Sequence, residues 1–121
     1  MGKTVNMRGI EKAIADYGFA YLITVADGDR IHTSVVQPTV EGECLIVPSP
    51  SDRVQANTGQ RPKISLVWPP REPDGYSLIV DGVAQFGADN LRVIPSRAIL
   101  HRPDIIAAPD GDSCVADCIE I

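Results

Sequence analysis

The stretch FAYLITVADGDRIHTSVVQPTVEGECLIV, residues 19–47, decides the fold of this chain. Three runs rich in β-branched and aromatic residues (19–26, 31–40 and 44–47) are separated by Asp27-Gly28-Asp29 and by Glu41-Gly42, both turn-forming sequences. Connections this short join antiparallel neighbours, because a parallel pair needs a crossover of about a dozen residues or more. The expectation is two successive hairpins in an antiparallel meander.

Upstream, the period changes. Ile10, Ala13, Ile14 and Tyr17 recur at i, i+3, i+4 and i+7, while Arg8, Glu11, Lys12 and Asp16 take the other face. This predicts a short helix lying on a hydrophobic surface and stopped by Gly18. Downstream, Ser49-Pro50-Ser51-Asp52 reads as a second helix start. Ser49 takes the cap, Pro50 the first helical position and Asp52 the acid of a capping box, with the helix over 53–58 and Gly59 ending it.

Strand character returns at 63–68 and stops at Pro69-Pro70, followed by a turn-rich loop at 71–75. Residues 76–86 form the longest strand candidate, with Gly82 marking a bulge or a close approach. A turn at 87–90 leads to a last strand at 91–101, bent at Pro95. The segment from Cys114 to Ile121 reads either as a barrel edge strand or as a loose tail. Six strands and two small helices joined by short turns predict a mainly β fold. Its form is a six-stranded antiparallel, closed or split barrel in a single domain, 1–121.

Composition bounds the function. A length of 121 residues supports one hydrophobic core, and 44% hydrophobic against 22% charged residues places the chain among globular proteins. The net charge of -5 disfavours nucleic acid or anionic membranes as partners, since both need a basic surface. The first six residues lack the apolar segment of a secretory signal, and no apolar run is long enough to span a bilayer. A cytosolic protein is expected. Three cysteines make an odd count unlike a secreted disulfide framework, and Cys114 and Cys118 are spaced C-x3-C, neither a redox nor a zinc pattern. No metal site is expected.

The usual nucleotide-binding, zinc-protease and serine-hydrolase motifs are absent, so chemistry must come from a bound cofactor or from binding geometry. The most suggestive element is the strand-to-helix junction Val47 to Arg53. A helix N-terminus favours a phosphate, and the Ser49 and Ser51 hydroxyls and the Arg53 guanidinium add donors and charge. The structural alternative is that Ser49 merely caps the helix and Arg53 is solvated. Asp52 opposes an anion in either case. Trp68 reads as core or interface packing, His32 as a hydrogen-bonded structural residue and His101 as a strand-end surface residue.

From Phe19 to Pro103 the order of elements resembles the pyridoxamine 5'-phosphate oxidase-like family of split barrels. The resemblance is carried by Ile31-His-Thr-Ser-Val-Val36, Leu45-Ile-Val-Pro-Ser-Pro-Ser-Asp-Arg53 and Ile64-Ser-Leu-Val-Trp-Pro-Pro70. Tyr76-Ser-Leu-Ile-Val-Asp-Gly-Val-Ala84 and Arg97-Ala-Ile-Leu-His-Arg-Pro103 complete it. The chain is similar to the short, single-barrel members. That resemblance implies a homodimer with FMN at the subunit interface. Thr33, Ser34, Val35 and Val36 would line the flavin ring; Ser49, Ser51 and Arg53 would hold the phosphate; Ser77 would come from the partner strand. The chain departs from the family pattern where basic residues are usual, carrying Ile31 and Val36 on the second strand and Asp52 beside Arg53, and carries Ser77 in place of a glutamine. Two alternatives follow: a deazaflavin-dependent reductase, or a cofactor-free dimer that binds a small ligand or a protein.

Overall fold

In the computed structural model, which describes residues 6–87, 89–103 and 116–121, both expected hairpins form, but they are not neighbours. β1 (Ala20–Val25) pairs with β2 (Ile31–Val36) across a tight turn in which Gly28 and Asp29 have φ of 74° and 59°. β3 (Thr39–Glu41) pairs with β4 (Cys44–Pro48) through Gly42 at φ 62°. The sheet runs β2-β1-β5-β6-β7-β4-β3, so β2 and β3, consecutive in the chain, lie at its opposite ends.

The expected continuous strand at 31–40 is therefore corrected to two strands broken at Gln37-Pro38. Proline has no N–H to give to a ladder, and here the chain leaves one sheet end for the other. The link also dictates curvature. In a flat sheet the ends of the seven-strand path would stand about 29 Å apart at ~4.8 Å per strand. Three chain steps from Val36 to Thr39 reach no more than about 11 Å. The sheet must curl into a half-barrel, which is the architecture observed.

The remaining strands are β5 (Lys63–Trp68), β6 (Ser77–Phe86), β7 (Asn90–Pro103) and β8 (Ala116–Glu120), giving eight strands among the described residues rather than six. One extra strand comes from the break at Pro38. The other comes from the C-terminal segment, whose described part is an edge strand on β7; Cys114 lies outside the described residues. The longest strand is β7, at 14 residues, not β6. It serves two partners in succession, β4 along 90–93 and β8 along 99–103. The ladder shifts register at Asp81/Gly82, where Gly82 faces Pro95 and Ser96 is the extra residue. A Cβ at Gly82 would stand 2.6 Å from the Ile94 carbonyl oxygen, so only glycine admits this approach.

The concave face holds the core: Leu22, Leu66, Trp68, Leu78, Val80 and Leu91, with Leu45, Val47 and Val93 from the other sheet end. Two helices cover it. α1 (Met7–Ile14) starts on an Asn6 cap, whose side chain accepts from the Gly9 N–H, and buries Ile10 completely. The Tyr17 hydroxyl beyond it donates to the Tyr76 carbonyl at 2.7 Å. α2 (Asp52–Gln60) turns Val54, Asn57 and Thr58 inward. Its buried polar groups are satisfied, since Asn57 Nδ2 donates to Thr24 Oγ1 at 3.0 Å and the Thr58 hydroxyl to the Val54 carbonyl at 2.8 Å. Among the described residues no helix is long and apolar enough to cross a membrane.

Two consequences are measurable. Gly82→Ala should lower unfolding stability by about 2 kcal/mol through overpacking against backbone. Gly59→Ala, at a helical position with open space around it, should raise stability by about 0.5–1 kcal/mol; denaturant midpoints of both variants give the comparison. Burial first, and the Asp16 charge second, raise the Tyr17 pKa above 10.0. The neutral phenol is thus favoured on folding, and its contribution is full below that value and lost as pH rises through the raised one. Tyr17→Phe should cost about 1 kcal/mol at neutral pH and flatten this alkaline loss in unfolding measured from about pH 8 to 11.

Candidate functional site

The curl brings the sheet ends together without joining them, and a cleft of about 470 Å³ lies between β2 and the β4–α2 junction. Leu22 and Val47 form its floor, with Val54 from α2 and with Ser34, Val36 and Gln37 along the edge strand. The register explains which β2 side chains face inward. His32, Ser34 and Val36 stand opposite Thr24, Leu22 and Ala20, all buried on β1. Thr33 and Val35 belong to the outer face, although Val35, on an edge strand, still contributes to the lining.

Two polar atoms on this inner row are buried without a hydrogen-bond partner, Ser34 Oγ and His32 Nδ1. Each such group costs about 1–3 kcal/mol when left unmade. The expectation of a hydrogen-bonded His32 is corrected at Nδ1, which is buried without a hydrogen-bond partner. Ser34 lines the cleft and His32 does not.

The helix start differs from expectation by two residues. Ser51, not Ser49, is the cap, its Oγ accepting from the Val54 N–H at 3.2 Å. Ser49 instead adopts φ 48°, which swings the chain away from β4, and Pro50 precedes the helix. Asp52 is then the first helical residue and closes no capping box. The Ser51 hydroxyl covers the Val54 amide of the first turn and keeps its own proton to donate. The acidic charge of Asp52 remains in the first turn.

Of the eight residues expected to hold a cofactor, the structure gathers Ser34, Val35, Val36, Ser49 and Ser51 around one cleft. Thr33, on the outward row of β2, is not among the residues that line it. Arg53 is exposed and outside the lining, and among the described residues no basic side chain lines the cleft. Ser77 lies across the sheet, in register with His101 near the end of β7. Gln37, Val47 and Pro48 also line the site and were not anticipated. Gln37 was hidden by reading 31–40 as one strand; the Pro38 that follows it was the available signal.

No family model matches the chain. Solved structures with the same arrangement include a candidate pyridoxamine 5'-phosphate oxidase of Listeria innocua, with TM-score 0.63 and 12% identity over 78% of this chain and 96% of that one. HupZ of Group A Streptococcus matches with TM-score 0.63 and 14% identity over 77% and 91%. General Stress Protein 26 of Bacillus anthracis matches with TM-score 0.62 and 16% identity over 78% and 92%. At these identities the likeness carries the fold alone: the chain has the split-barrel fold of pyridoxamine 5'-phosphate oxidase-like proteins. It is also 40% identical, over 97% of its length and 94% of theirs, to uncharacterized proteins Mb0449c of Mycobacterium bovis and MT0457 of Mycobacterium tuberculosis. The chain belongs to the family of these two mycobacterial proteins.

The cap assignment separates the two serines. Ser51→Ala should lower stability by about 1 kcal/mol, whereas Ser49→Ala should leave it nearly unchanged, as read from thermal or denaturant unfolding.

Proposed function

We propose that the cleft between β2 and the start of α2 binds FMN and that the protein is a flavin-dependent oxidoreductase working as a cytosolic homodimer. The observation that carries this reading is Ser34 Oγ, a buried hydroxyl with no partner in the wall of a mostly apolar cleft beside a helix N-terminus. Such a cleft, of the size small-molecule sites have, suits a flat apolar ring with a few polar edge atoms. Leu22, Val36, Val47 and Val54 would pack the ring, and Ser34 would meet one of its edge atoms. Ser49, Ser51 and the first turn of α2 would hold the phosphate, with Arg53 as a more distant counter-charge. A bound flavin supplies hydride or electron transfer; these residues orient it and exclude water.

The dimer rests on the convex face. Ile31 and Val35 are 73% and 64% exposed, Tyr21 stands opposite Val35, and Val83 and Ile94 form a second exposed apolar pair on β6 and β7. Twofold pairing would cover this surface and bring in Ser77, which does not reach the cleft of its own subunit.

The absence of a basic side chain from the lining favours a second reading, a cofactor-free dimer whose cleft takes an uncharged small ligand. Titration with FMN, followed by flavin fluorescence, separates the two. Saturation near micromolar concentration at one flavin per subunit is expected. Ser34→Ala should weaken binding about fivefold to tenfold while leaving the ligand-free unfolding midpoint unchanged or raised. No saturable binding of FMN defeats the flavin reading. A parallel titration that saturates only with a deazaflavin coenzyme transfers it to the reductase alternative.

A further inference from the structure

At the far end of β7 is a second chemical cluster, outside the cleft of its own subunit. β8 pairs His101 directly with Cys118, and Nδ1 of the imidazole lies 3.2 Å from Sγ. Ser77 stands opposite His101 on β6, so Ser77, His101 and Cys118 form one row across three strands. Cys118 is a free, exposed thiol. The Arg102 guanidinium stacks on the Tyr76 ring at 4.4 Å and ties the end of β7 to the entry of β6. The row is thereby held where a strand end would otherwise fray.

We infer that Cys118 is a thiol-modification site, with His101 as its base, that forms mixed disulfides with small-molecule disulfides. With the imidazole proton on Nε2, Nδ1 accepts the S–H proton as the thiol reacts. The Cys118 sulfur attacks one sulfur of the incoming R–S–S–R, the new Sγ–S bond forms and the old S–S bond breaks. The departing RS⁻ takes up the proton held at Nδ1 and leaves as RSH. The oxidant is the small disulfide itself, and an excess of a small thiol reverses the step. Cys44 offers a contrast. It is half-buried and accepts from the Arg92 guanidinium at 3.9 Å, a group that cannot take up its proton. The site also lies about 20 Å along β7 from Ile94 at roughly 3.3 Å per residue, clear of that part of the apolar convex face.

Glutathione disulfide is the probe, added at pH 7 to the full chain and to Cys118→Ser and His101→Gln variants, with adducts mapped by mass spectrometry. The adduct is expected at Cys118, faster than on free cysteine at the same pH. It should be absent from Cys118→Ser and about tenfold slower in His101→Gln. The Cys44 rate and the unfolding midpoint of His101→Gln should match the wild type, which separates loss of the base from loss of β8 docking. Iodoacetamide, which needs no disulfide, should show the same dependence on His101. A wild-type rate at Cys118 in His101→Gln, or a Cys118 rate no faster than that of Cys44, would overturn the inference.

Discussion

The two residues between β2 and β3 constrain everything else in this molecule. Gln37 and Pro38 must carry the chain between opposite ends of a sheet whose ends would be far apart if it were flat. Curling is the only way to satisfy that distance, and curling creates the inside and outside of the half-barrel. Leu22, Leu66, Leu78 and Val93 can then converge on one core from strands remote in sequence. The same link leaves the sheet ends adjacent but unpaired, and the cleft is the gap that results. Fold and site therefore share one geometric cause.

That cause also places the least satisfied part of the interior. On α2 the inward polar groups are all answered, Asn57 by Thr24 and Thr58 by its own helix. On β2, at the open edge, Ser34 and His32 each hold a buried atom that nothing answers. Two orphaned groups weaken β2, a short edge strand with a sheet partner on one side only. A ligand that met Ser34 would remove one of these penalties and fasten the strand. Occupancy of the cleft and order of β2 are thus linked.

Much of this was legible in the residues, and the failures have physical reasons. The first helix, the strand at 63–68 and the role of Gly82 follow from periodicity and from glycine's missing Cβ, both local properties. The break at Pro38 was visible as a proline but not as a topological crossing, because β-branched residues, Thr39 and Val40, resume directly past it. The cap moved from Ser49 to Ser51 because two serines two residues apart carry the same cap chemistry. The burial of Val54, a tertiary fact, fixes the helix phase. Thr33 stands apart from the cleft lining because strand alternation turns its side chain to the outer face. The His101–Cys118 pair was out of reach, since it depends on the register of an edge strand beyond a long connection.

The chemistry of the cleft bears on how its ligand is chosen. A charge-assisted hydrogen bond contributes about 1.5–3 kcal/mol, whereas a helix terminus and its dipole add about 0.3–1 kcal/mol when exposed. With Arg53 outside the lining and Asp52 in the first turn, the phosphate end of a nucleotide would gain little. The apolar walls work differently, removing ring surface from water at about 25 cal/mol per Å². Affinity in this cleft must therefore come mainly from the flat apolar part of a ligand. Discrimination would fall to Ser34, whose unmet hydroxyl penalises any ring without a polar atom at that place. The proposed flavin would then be held by its ring rather than by its phosphate.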